Sequence, residues 1–228
     1  MKRAARTPAG PSRDAVSAVA MREVTIPPLD LAGTLRQPAD ATCLVVFAHG
    51  SGSSRFSPRN NAVAEGFAAR GIATLLFDLL TPAEEGDRAN VFDIPLLAER
   101  LANAVAWVRR EPGLSGLPLG LFGASTGAAA ALVAAARLPD AISAVVSRGG
   151  RPDLAGDALE RVRAPTLLIV GGADYCVIEL NEEAAARITA TKALEIVPCA
   201  THLFEEPGAL EAVVDLSARW FLDHRVGG

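Results

Sequence analysis

The chain has 228 residues, 50% of them hydrophobic and 21% charged, and a formal net charge of −4 at pH 7. That length and apolar content suit one domain with a sizeable core, and the acidic balance argues against nucleic acid or an anionic membrane surface as a partner. No apolar run reaches the length of a membrane span, Lys2, Arg3 and Arg6 are followed by no apolar stretch of the kind a secretory signal needs, and the three cysteines are an odd number, which reads as free thiols in a reducing cytoplasm.

Residues 1–20 contain Pro8, Gly10, Pro11 and several arginines without periodicity, and read as a flexible tail. Structure is expected from about Met21, which makes Met21 a candidate native start, with one domain over residues 21–228. Residues 23–26 and 29–35 read as two early strands around Pro27-Pro28, a hairpin on a sheet edge. Residues 43–47 form a continuous apolar run, as in a strand buried on both faces. It ends in Ala48-His49-Gly50-Ser51-Gly52-Ser53-Ser54. A helix over 58–70 stops at Gly71. A buried strand over 72–77 ends at Asp78, and a polar stretch occupies 81–90. Apolar residues Leu97, Leu101, Val105 and Val108 recur at helical spacing within 94–110.

The next segment carries the strongest signal. Residues 117–122 read as a buried strand, and 128–137 as an alanine-rich helix, since alanine loses no side-chain entropy there. Between them lies Gly123-Ala124-Ser125-Thr126-Gly127. A serine at the apex of a tight strand-to-helix turn is the context of a nucleophile elbow. Further strands are expected at 141–146, 165–170 and 193–197. One helix fits the polar excursion 147–163, and others fit 177–188 and 208–224. Such alternation implies a mostly parallel sheet covered on both faces, with reactive groups beyond the carboxyl ends of the strands.

A serine hydroxyl needs a base. Of three histidines, His202 lies in a loop between the last strand and the last helix, within reach of the elbow. His49 precedes the elbow, and His224 lies near the chain end on a helix. The acid that fixes the tautomer of the base is expected to be Asp174, after Gly171-Gly172-Ala173 at a strand end, with Asp153 as a rival. Asp78 reads as a carboxylate that holds a loop. The oxyanion is expected to be met by the backbone N–H groups of Thr126 and of Ser51, with Gly52 as the alternative to Ser51. The loop at His49-Gly50-Ser51-Gly52 lacks the spacing of a nucleotide-binding signature. Cys176, Cys199 and His202 lack the paired-cysteine spacing of a zinc site, and Cys43 reads as a small core residue. Arg55, Arg148 and Arg151 come from loops on the same rim. One of them, Arg55 first, is expected to bind an acidic substrate.

In this order, His49-Gly50-Ser51-Gly52, the Ser125 pentapeptide, Gly171-Gly172-Ala173-Asp174 and Ala200-Thr201-His202 resemble the α/β-hydrolase superfamily, in its dienelactone-hydrolase-like branch. The resemblance runs from about residue 21 to the end. It differs from dienelactone hydrolases proper at the nucleophile, where they carry cysteine and this chain has Ser125, which favours a general serine esterase over a lactone-specific enzyme. The resemblance implies an α/β-hydrolase fold with no large lid and an open site. It implies a serine esterase acting on a small-molecule ester, with no metal and no organic cofactor. Acyl transfer or thioester cleavage by the same groups, and a binding module that has lost catalysis, are the alternatives.

Overall fold

Strands and helices alternate along the computed structural model, which describes residues 18–225. An antiparallel hairpin, β1 (Val19–Ile26) and β2 (Leu31–Pro38), turns around Pro27-Pro28. Then follow β3 (Cys43–Ala48), α1 (Pro58–Ala68), β4 (Ile72–Phe77), the short α2 (Pro82–Glu85) and α3 (Arg88–Val91), α4 (Ile94–Val108), β5 (Leu119–Ala124) and α5 (Thr126–Arg137). The last part holds β6 (Ala144–Arg148), a 3-10 helix (Pro152–Arg161), β7 (Thr166–Gly171), α6 (Tyr175–Arg187), β8 (Lys192–Val197) and α7 (Ala209–Asp223). The strands form one sheet in the order β1-β2-β4-β3-β5-β6-β7-β8, parallel from β4 to β8. This is an α/β-hydrolase fold.

The tail expected over residues 1–20 falls outside the described residues as far as residue 17. β1 runs through Met21, and its first residue, Val19, pairs with Pro38.

β3 explains why the sheet is buried on both sides. All six of its residues are buried, and they alternate between two cores. Leu44, Val46 and Ala48 face the layer of α4 and α5, while Cys43, Val45 and Phe47 face the layer of α1 and α7. In the second layer Phe67 packs edge-on against both Phe122 and Phe221. Ala128 to Ala131 and Ala134 and Ala135 are fully buried, so the alanines of α5 do more than favour a helix: they let it lie close to β5 and α4.

Three departures from the sequence reading bear on the site. The central strand extends two residues further, to Ala124, so Ser125 follows it directly. β6 begins later than expected and runs on to Ser147 and Arg148, both buried. A polar pair inside a strand gives no apolar signal, so the pattern stopped short. The stretch 81–90 folds into α2 and α3, because Thr81 and Glu84 make a reciprocal capping box and Asp87 accepts from Ala89 N–H. The 3-10 helix after β6 packs on α5 and α6 and forms no lid.

Candidate active site

Ser125 stands at φ 51°, ψ −121°, the left-handed half of backbone space where a side-chain-bearing residue is strained. Its surroundings hold it there. Its N–H donates to Arg148 O (3.3 Å), and its carbonyl accepts from Ala128 N–H (3.1 Å) and Arg151 N–H (3.1 Å). The flanking glycines are dictated by close approach. A Cβ at Gly123 would lie 2.4 Å from Ala128 Cα, and one at Gly127 would lie 2.2 Å from Ala48 O. The loop after β3 therefore packs directly on the start of α5.

Asp174 and His202 arrive on neighbouring loops that are hydrogen-bonded to each other, Gly172 N–H to Val197 O (2.8 Å) and Ala173 N–H to Ala200 O (2.9 Å). Phe204, 1% exposed, anchors the histidine loop in the core. His202 Nδ1 lies 2.7 Å from Asp174 Oδ2. A carboxylate only accepts, so Nδ1 carries the hydrogen, and in the neutral tautomer that this selects Nε2 holds the lone pair. Ser125 and His202 line one cavity of about 230 Å³, with Ser53, Arg59, Asn60 and Arg148. Among the described residues the two are not hydrogen-bonded to each other, a looseness common before a substrate binds.

The two residues expected at the oxyanion touch each other. Ser51 N–H donates to Thr126 Oγ1 at 3.0 Å, which ties the β3 loop to the first residue of α5. Thr126 N–H belongs to the first turn of α5, where backbone donors have no helical partner.

The other sequence candidates sort by their partners. His49 is 8% exposed. Its Nε2 accepts from Leu79 N–H (3.1 Å), so Nδ1 carries the hydrogen and donates to Gly50 O (3.1 Å). Burial lowers its proton affinity, which keeps it neutral as a clamp between two loops. Arg55, expected to meet substrate, is turned to Asp78 instead. Both its backbone N–H and its guanidinium donate to that carboxylate, and its guanidinium carbon lies 4.0 Å from the centre of the Phe56 ring. Arg55 does not line the Ser125 cavity. Arg151 is held bidentately by Asp153, at 2.9 and 2.8 Å, which occupies the rival acid as well. His224 lies at the C-terminal end of α7, its ring tilted 41° against that of Trp220. Cys43 is buried, and burial pushes its thiol up to about 11; Cys176 and Cys199 are exposed free thiols. Among the described residues no cluster of three or more His, Cys, Asp or Glu has metal-site geometry, and no helix is long and apolar enough to cross a membrane.

Sequence reasoning missed Arg59 and Asn60. The signal was present: Ser57 caps α1 ahead of Pro58, so the first turn of α1 starts at the rim beside the β3 loop.

The model of the alpha/beta hydrolase domain matches residues 41–215. Two Mycobacterium tuberculosis proteins, provisionally named phosphoribosyl transferases, are 59% identical over 205 residues. The match takes in 90% of this chain and 46% of each relative, so the chain spans about half their length. Among solved structures, a dienelactone hydrolase from Anabaena variabilis is 52% identical, with a TM-score of 0.87, covering 92% of this chain and 100% of that one. Est1E from Butyrivibrio proteoclasticus shares the fold at 16% identity and a TM-score of 0.75, covering 90% and 98%. A strained serine turn on a mostly parallel eight-stranded sheet, matched over most of its length by that domain model, makes this chain a member of the α/β-hydrolase family, dienelactone-hydrolase-like.

Proposed function

We propose that the chain is a serine hydrolase that cleaves carboxylic esters of small substrates through an acyl-enzyme on Ser125. The 2.7 Å contact between His202 Nδ1 and Asp174, together with the cavity that His202 and Ser125 both line, carries this reading. With Nδ1–H held by Asp174, His202 Nε2 takes the Ser125 proton as Oγ attacks the ester carbonyl carbon. The carbonyl oxygen becomes an oxyanion, met by Thr126 N–H and, with Thr126 Oγ1 as its resting partner, Ser51 N–H. His202 then gives its proton to the leaving alcohol as the C–O bond breaks. Water, deprotonated by the same nitrogen, attacks the acyl-enzyme and returns Ser125 and the acid product. No step calls for a metal or organic cofactor. The free thiols suit a cytoplasmic setting. The relatives' provisional name describes proteins about twice this long, and we assign phosphoribosyl transfer to none of the residues of this site.

A fluorophosphonate probe and a panel of p-nitrophenyl esters of rising chain length test the proposal. Wild type should be labelled at Ser125 and turn over short esters, and Ser125→Ala should do neither. Turnover by Ser125→Ala equal to wild type, or an unlabelled wild type, overturns it. Added alcohol or amine diverting the acyl group, or faster thioester cleavage, would redirect it to acyl transfer or thioester chemistry.

A further inference from the structure

Arg148 is a buried cation without an anion. It is 6% exposed, yet no carboxylate pairs with it among the described residues. Its hydrogen-bond partner is the neutral Asn60 Oδ1, at 3.2 Å from Nη2, and its Nε is buried without a partner. Phe204 covers one side, its ring centre 5.8 Å from the guanidinium carbon. A second guanidinium, Arg59, lines the same cavity, and its own partner, Glu205 at 2.9 Å, is 63% exposed. Burial, with a smaller push from Arg59, lowers Arg148 to about 10, so it stays charged at neutral pH. Burying an unpaired charge is costly, and a strongly perturbed ionisable group in a cleft marks a candidate binding site.

A second cavity, of about 330 Å³, lies across the β3 loop. Leu79, Leu80, Val91 and Leu97 line it, and it shares Gly50, Ser51 and Ser53 with the Ser125 cavity. One loop thus separates a chamber with four apolar side chains, which also holds His49 and Glu85, from a cationic one, with the nucleophile on the cationic side.

We infer that Arg148, helped by Arg59, is an oxyanion-binding subsite, and that the substrate is a small ester with an apolar part for the larger chamber and a carboxylate or phosphate beside Ser125. Guanidinium forks suit either group. This deepens the esterase reading and rests on it.

The test compares kcat/KM for p-nitrophenyl butyrate and the mono-p-nitrophenyl ester of succinate at constant ionic strength, with succinate and inorganic phosphate as inhibitors. Wild type should favour the acidic ester. That preference should fall at least about tenfold in Arg148→Met, which keeps an apolar stem on Phe204, and about threefold in Arg59→Gln. Stronger competitive inhibition by phosphate assigns the subsite to phosphate, and stronger inhibition by succinate assigns it to carboxylate. An unchanged preference in both variants, or inhibition of wild type by neither anion, overturns the inference. Should Arg148→Met not fold, Arg59→Gln and the wild-type inhibition decide. Loss of Ser125-dependent turnover of both esters would strike the esterase reading alone, since thermal stabilisation of wild type by either anion, reduced in Arg59→Gln, still reports the subsite.

Discussion

His49 should make the protein acid-sensitive in a measurable way. Its ring is buried, and both nitrogens are committed in the neutral form: Nε2 accepts from Leu79 N–H and Nδ1–H donates to Gly50 O. Protonation would put a hydrogen on Nε2 and oppose Leu79 N–H. Burial is the largest influence and lowers the folded-state value below the ordinary 6.5; the Gly50 contact and the charges of Asp78 and Glu85 pull the other way without reversing it. The sign follows. Below pH 6.5 the unfolded chain binds a proton that the folded chain refuses, so stability is full above that value and is lost as pH falls, levelling off at the folded value. Between pH 7.5 and 5.5 one such histidine removes up to about 1.4 kcal/mol. Urea denaturation of wild type and His49→Gln at both pH values isolates the effect, because Gln does not titrate and the other histidines cancel. Wild type should lose about 1 kcal/mol more than the variant on acidification. An equal loss in both would refute the clamp argument.

Three further outcomes are expected. Asp174→Asn should lower kcat on the order of a thousandfold or more with KM little changed, because the amide no longer holds the Nδ1–H tautomer of His202; a loss under tenfold in steady-state kinetics would remove Asp174 from that role. Gly127→Ala places a methyl 2.2 Å from Ala48 O and 2.5 Å from His49 O, backbone atoms with little room to move. It should cost about 3 kcal/mol by denaturant unfolding, and a wild-type midpoint would contradict the packing. Arg55→Ala should leave the preference between acidic and neutral esters intact while lowering the melting temperature, since its partner is Asp78; a selective loss on acidic esters would return Arg55 to the substrate.

The sequence by itself determined the layered fold and the order in which chemistry is delivered to it. Apolar runs such as 43–47 and 72–77 are long and pure because both faces of those strands are buried. Gly123 and Gly127 mark the serine turn because no other residue fits the helix and loop packed against it. Those are local constraints, and they leave local traces. Tertiary structure decided the partners of the charged side chains. Arg55, Arg148 and Arg151 look alike as loop arginines, yet Arg55 meets Asp78, Arg151 folds onto Asp153, and Arg148 sinks beside Ser125 and bonds the neutral Asn60. A guanidinium on a long stem reaches whichever anion the packing of distant segments leaves nearby. Arg151 finds its anion two residues along the chain, but Arg55 and Arg148 find their partners 23 and 88 residues away, where the packing of separate elements decides what lies nearby.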